Sequence, residues 1–188
     1  VRINATASAV AASSKEALAA TAKTSTAVRA ALKSAKIDTK DIATQSVTVY
    51  PEYKYTADGG STLTGYRGSQ SFTIIVRAAD TAGSLVDALV TAGGDNLQIN
   101  GATPFVLDST KSLEAARAAA VKSAKSKAAS YAKLIGAKLG KVNYLIENSA
   151  PTNYTPVMAV AKAESDATVI DLGQQDVTIS VTVQWSLL

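Results

Sequence analysis

The chain has 188 residues, 47% hydrophobic and 18% charged, with a formal charge of +4 and neither His nor Cys. That length supports one sizeable core. The missing His and Cys remove the usual general base, the usual zinc ligands, the thiol nucleophile and any disulfide framework, and the mild positive charge falls short of a nucleic-acid-binding extreme.

Residues 1–9 alternate, with Val1, Ile3, Ala5, Ala7 and Ala9 on one face and Arg2, Asn4, Thr6 and Ser8 on the other. This predicts a half-buried strand. Ser13-Ser14-Lys15-Glu16 has the form of a capping box, so a helix starts there and runs to about residue 35. Its expected inward stripe is Leu18, Thr21, Ser25, Val28 and Leu32. Residues 45–55 form a second strand, with Val47, Val49, Tyr53 and Tyr55 on one face. A turn at Ala57-Asp58-Gly59-Gly60-Ser61 leads into a third strand over 63–78. Asp80 is the expected cap of a short helix carrying Leu85, Val86, Leu89 and Val90, which Gly93-Gly94 ends. A fourth strand follows over 97–107. Asp108 or Ser109 then caps a long helix to Ile135, stopped by Gly136. A fifth strand covers 139–147. Residues 148–175 show no periodicity and contain Tyr154 and the only Met, Met158. The last strand, 177–187, alternates cleanly.

The stretch LTGYRGSQSFTIIVR raises a geometric question. A third strand of 15 residues reaches about 50 Å if straight, against about 39 Å for the longest helix. The hairpin of the second and third strands must therefore protrude or bend. Gly65 and Gly68 are candidates for the bend. Tyr50, Tyr53, Tyr55 and Tyr66 then ride on the protruding part. Four of seven tyrosines on one arm, beside Arg67, suggest a contact surface. The competing view is that they pack on one another.

On the long helix, Leu113, Ala120, Ala124, Ala128, Tyr131 and Ile135 cluster on one side of a helical wheel. Lys111, Lys122, Lys125 and Lys133 lie opposite, as a solvated face without the arginines and aromatics of nucleic-acid readers. Arg117 falls in the apolar sector and is a candidate for a buried ion pair, with Asp108 and Asp87 as possible carboxylates. Ser130-Tyr131-Ala132-Lys133 fits an SxxK pattern, but it sits near a helix end and lacks the companion SDN and KTG motifs. No phosphate loop and no GxGxxG is present. The acidic residues lie scattered over caps and loops. No catalytic residue, no metal site and no cofactor follows from any of this.

Four stretches resemble one family in combination: LTGYRGSQSFTIIVR, LQINGATPFVLDS, LEAARAAAVKSAKSKAASYAKLIGAKLGKV and QQDVTISVTVQWSL. The chain resembles the SIMPL domain family, which includes bacterial oxidative-stress-defence and periplasmic immunogenic proteins. The resemblance covers essentially the whole chain. It departs from the bacterial pattern at residues 1–12, which lack the Gly-rich first strand and the Pro-Asp segment. It implies an α+β, extracytoplasmic protein (periplasmic, envelope-bound or secreted) with its leader removed, and no catalytic residue to carry over. Some bacterial members form large ring- or channel-like oligomers.

The expected fold is α+β in the order β-α-β-β-α-β-α-β-β with a ferredoxin-like start. The expected form is one domain over 1–188, an antiparallel sheet with helices on one face, and the first and last strands as neighbours. The expected function is non-enzymatic: a binding and assembly protein, homo-oligomeric, with a protein partner in the envelope and a link to stress tolerance. Neither nucleic acid nor a transmembrane helix enters it. The contact surfaces are Tyr50, Tyr53, Tyr55, Tyr66 and Arg67 on the hairpin, and Tyr154 and Met158 in the late loop. The alternative is a carrier of a small apolar molecule or lipid, held on the sheet's second face or under the late loop.

Overall fold

Alternation at the N-terminus becomes strand β1, Arg2–Ala11, whose Ile3, Ala5 and Ala7 are fully buried. The computed structural model describes residues 1–55, 58–148, 168–173 and 176–188. Helix α1, Ser14–Ser34, begins where the Ser13 hydroxyl accepts the Glu16 backbone N–H at 3.3 Å. It buries Ala17, Thr21, Thr24, Ser25, Val28 and Leu32. Ala17 thus takes the place expected for Leu18, because the first turns of α1 pass so close to the strand carrying Gly68 that a Cβ at that glycine would lie 2.8 Å from the Ala17 carbonyl oxygen. The helix ends in a Schellman motif: Lys36 N–H donates to the Lys33 carbonyl and Ile37 N–H to the Leu32 carbonyl, each at 3.0 Å. Lys36 occupies the left-handed position, φ 58°, usually given to glycine.

Strands β2, Ile42–Tyr55, and β3, Ser61–Ile75, form a hairpin. Helix α2 covers Ala82–Gly93 and strand β4 covers Leu97–Thr103. Asp80 is not the cap of α2. It lies in a 3-10 turn, Ala79–Thr81, which delays the helix and leaves Thr81 at the cap position. Strand β4 stops before Pro104, which has no N–H to continue a ladder. Helix α3 spans Thr110–Leu134, and strands β5, Leu139–Asn148, and β6, Ser180–Leu187, complete the described elements. At the start of α3 it is Asp108 that accepts an orphan N–H, from Thr110 at 2.9 Å. Its carboxyl is held below the usual range by the hydrogen bonds from Thr110.

All described strand pairs are antiparallel. The described strands divide between a four-stranded sheet, ordered β2-β3-β1-β4, and the β5–β6 pair. The first and last strands are therefore not neighbours. Both edges of β1 are already taken by β3 and β4, so no hydrogen-bonding edge remains for β6.

The described residues gather into two compact units, 1–105 with 168–172, and 106–148 with 173 and 176–188. In the first, α1 and α2 cover one face of the four-stranded sheet over Ile3, Val28, Leu32, Phe72, Ile74 and Leu89. Burying each large side chain there is worth about 1.5–3 kcal/mol. Thr168 joins this unit by donating its hydroxyl to Asp87 of α2 at 2.5 Å. In the second unit, α3 lies on the β5–β6 pair. Its inward positions are Leu113, Ala116, Ala120, Ala124, Ala128 and Ala132. Tyr131 and Ile135, expected to face inward, are 69% and 66% exposed. The contact line advances mostly in steps of four, each overshooting a full turn by about 40°. It therefore winds round the helix and ends at Ala132.

Candidate functional site

The hairpin sets up the candidate contact surface. Strand β1 pairs with β3 only from Tyr66 to Ile75. Beyond that, residues 61–65 pair with β2 alone, an overhang of roughly 17 Å. The junction is marked by a register shift: Glu52 faces Gly65, then Tyr53 faces Leu63. Thr64, between them, donates its hydroxyl to the Glu52 carbonyl at 2.8 Å. Gly65 has φ 155°, and a Cβ there would sit 2.7 Å from the Ala11 carbonyl oxygen at the end of β1. Gly68 differs. The register runs through it unbroken, and a Cβ would lie 2.7 Å from Thr21 Oγ1 and 2.8 Å from the Ala17 carbonyl oxygen. It is the point where α1 rests directly on the sheet backbone.

The arm has two unlike faces. Val47, Val49, Pro51, Tyr53 and Tyr55 alternate along one side of β2, with Leu63 paired to Tyr53 and Tyr66 paired to Pro51. Helix α1 lies over β1 and β3, and this row is left open to solvent. Val47 is 58% and Tyr55 78% exposed, and Tyr66 is half-buried. The opposite side carries Tyr50, paired to Arg67, which in turn pairs with Val10. Arg67 donates to Glu52 at 2.6 Å. That hydrogen bond, aided by the Glu52 charge, holds the guanidinium still more firmly protonated. Tyr50 is thus separated from Tyr53 and Tyr55 by the thickness of the sheet. Sequence alternation places Val47 and Val49 beside Tyr53 and Tyr55, as the structure does. The same period-two count reaches Pro51, Leu63 and Val10.

The remaining candidates lie elsewhere. Tyr154 and Met158 are outside the described residues. Arg117 does form an ion pair, but with Glu147 of β5, at 2.8 and 3.1 Å, and not with Asp108 or Asp87. Nor is it buried: its side chain is 49% exposed, because α3 presents mostly alanine to a two-stranded sheet too narrow to cover it. Its hydrogen bonds hold the Glu147 carboxyl below the usual range. Lys111, Lys122, Lys125 and Lys133 are all exposed.

A third ion pair was not legible in the sequence. Arg77 grips Asp41 with both Nε and Nη2, at 2.7 and 2.8 Å, tying the turn before β2 to the end of β3. The hydrogen bonds from Arg77 hold the nearly buried Asp41 carboxyl below its ordinary range. A cleft of about 280 Å³ opens beside the pair, between Lys36, Ile37, Asp38, Ile75, Arg77 and Thr81. With each charge satisfied by the other, the pair has neither a free base nor a free cation for catalysis. Among the described residues, no group of three acidic side chains is placed to hold a metal. The sheet's second face is lined by Asn4, Thr6, Ser8, Ser69, Ser71 and Thr73. It offers hydroxyls and amides along β1 and β3, with Ile75 at one end and Tyr50 and Val10 at the other.

A family model for SIMPL, described as a protein of unknown function (DUF541), matches residues 1–185. The chain belongs to the SIMPL family. Among relatives of this SIMPL chain, the 26 kDa periplasmic immunogenic protein of Brucella melitensis is 30% identical over 186 residues, covering 92% of this chain and 72% of that protein. The uncharacterized protein YggE of Edwardsiella ictaluri is 31% identical over 150 residues, 77% of this chain and 61% of that protein. YggE of Escherichia coli K12 is 30% identical over 133 residues, 69% of this chain and 52% of that protein. No helix among the described residues of the SIMPL chain is long and apolar enough to cross a membrane.

Proposed function

We propose that this SIMPL protein acts without catalysis, as an extracytoplasmic binding and assembly module that self-associates through its β2–β3 arm. One observation carries the proposal: Val47, Val49, Pro51, Tyr53 and Tyr55, with Leu63, form an apolar row that no element of the first unit covers. Exposed apolar rows of this kind are typical of protein contact sites, and tyrosine supplies large contact area at low entropic cost. Gly65 shapes the arm by permitting the bulge where β1 ends, and Gly68 anchors its root against α1. Tyr50 and Arg67 extend the contact to the other face. The periplasmic naming of the Brucella relative supports the location. The β1-α1-β2-β3-α2-β4 order supports a ferredoxin-like first unit on which the arm is an extension. A link to oxidative-stress tolerance, and a protein partner in the envelope, belong to the same proposal and rest on the family resemblance.

Replacing Tyr53 and Tyr55 together by Ser tests it. Light scattering on the purified protein should show an oligomer for the wild type and a smaller species for the variant. A monomeric wild type, or an assembly unchanged by the double substitution, refutes it.

A further inference from the structure

The cleft beside the Arg77–Asp41 pair lies wholly within the first unit, where the end of α1, the turn before β2 and the segment after β3 meet. Its volume of about 280 Å³ falls just below the range of drug-sized ligand sites and suits a molecule of a few heavy atoms. Ile37, Ile75 and Val76 give it an apolar wall. The charges beside that wall do not cancel. Asp38 is answered by Lys40 at 2.9 Å, and Asp41 by Arg77 at 2.7 and 2.8 Å. Lys36 has no carboxylate within ion-pair distance among the described residues, so one positive charge is left unbalanced.

Hydrogen-bond donors are left over as well. Asp41 takes two of the five guanidinium N–H bonds of Arg77, and the other three have no protein partner among the described residues. The backbone N–H groups of Arg77 and Ala78, just past the end of β3, have none either. Carbonyls at the end of α1 that would repel an anion are occupied: Leu32 accepts from Ile37, and Lys33 from Lys36.

The backbone of Lys36 is an independent sign. It holds the left-handed conformation, φ 58°, where glycine is the ordinary residue. No hydrogen bond or ion pair of its side chain within the described protein offsets that strain. Strained residues that the fold itself does not require cluster at ligand sites. Here the strained residue is also the one that carries the unbalanced charge.

The geometry points to this cleft as a binding site for a small organic monoanion, a carboxylate with a short aliphatic tail. The carboxylate is received by Lys36 and the remaining N–H groups of Arg77, and the tail by Ile37 and Ile75. One surplus positive charge matches one negative charge. A phosphate dianion would face Asp38 and Asp41 with too little cation to offset them, and an amine would be repelled by Lys36 and Arg77. The cleft lies at the opposite end of β2 and β3 from the tip of the arm, and the assignment does not rest on arm-mediated assembly.

Butyrate, titrated into the isotope-labelled full chain and followed by amide shifts, tests the site, with butylamine and inorganic phosphate as controls. The expected result is saturable shifts confined to residues around Lys36, Ile37, Asp41, Arg77 and Ala78. A dissociation constant of about 1 mM is within reach of so small a ligand. Lys36→Gly removes the charge and relieves the backbone strain together. It should therefore unfold at higher urea than wild type yet bind butyrate about tenfold more weakly, through the loss of one charge-assisted contact. Lys36→Gln, which keeps the backbone conformation and loses only the charge, should weaken binding by the same factor. Absence of saturable shifts, shifts centred elsewhere, or Lys36 variants that bind as well as wild type overturn the site. Tighter binding of phosphate, or equal shifts with butylamine, overturns the carboxylate as its occupant.

Discussion

Replacing Gly68 by Ala tests whether α1 sits on the sheet backbone as closely as the structure places it. The added Cβ would lie 2.7 Å from Thr21 Oγ1, 2.8 Å from the Ala17 carbonyl oxygen and 2.9 Å from the Ala17 carbonyl carbon. Two of these three atoms belong to the helix backbone, so no side-chain rotation relieves them. The first turns of α1 must lift by several tenths of an ångström, loosening the contacts of Ala17 and Thr21. Overpacking of this kind costs about 1–3 kcal/mol. Against it stands a gain of about 0.4–1 kcal/mol from the smaller conformational freedom of alanine in the unfolded chain. The net loss should be about 1–2 kcal/mol, or roughly 2–8 °C in Tm. Urea unfolding followed by far-UV circular dichroism measures it. Tryptophan fluorescence does not read this unit, since the only Trp, Trp185, lies in the second. Amide exchange at Thr21 and Gln70 should rise in the variant. Adding Thr21→Ala should not restore stability, because the Ala17 carbonyl still blocks the methyl group. A Gly68→Ala protein within about 0.3 kcal/mol of wild type, or full rescue by Thr21→Ala, refutes the close-approach argument.

Lys36→Gly should raise stability by about 0.5–1 kcal/mol, since glycine adopts the left-handed end position of α1 without strain; a lower urea midpoint would contradict this. Ser25→Ala should be neutral or stabilising by up to about 1 kcal/mol, because the buried Ser25 hydroxyl has no partner among the described residues, and a thermal melt decides it. Asp41→Asn should destabilise the protein near neutrality. The Asp41 carboxyl is held low by Arg77, so its contribution is complete above the ordinary carboxylate value of about 3.9 and is lost as pH falls through its lower folded value. The gap between wild type and variant should therefore be constant from about pH 7 to 5 and close below about pH 4; a gap that persists in strong acid would show that the ion pair is not its source.

Local periodicity made most of the first unit readable. The alternation of Ile3, Ala5 and Ala7 and of Phe72 and Ile74 marks which face of each strand is buried, and Ser13 and Gly136 mark helix ends through their own chemistry. What escaped depends on partners far along the chain. Arg77 meets Asp41 across 36 residues and Arg117 meets Glu147 across 30. No local pattern encodes either. The wheel misplaced Tyr131 because it assumes a straight contact line, whereas the line follows the surface being covered. The candidate arm was visible as an excess of length in the third strand, but its division into an apolar and a polar face needed the register of β2 against β3.

The position of β1 at the centre of its sheet has a kinetic consequence. Asn4 pairs on one side with Thr73 and on the other with Gly101. An alanine-rich opening strand must therefore wait, unpaired, through the synthesis of nearly a hundred further residues before both flanks can close. Such a high contact order predicts slow, late consolidation of the first unit, with a long-lived unfolded interval in which chaperones find the nascent polypeptide still open.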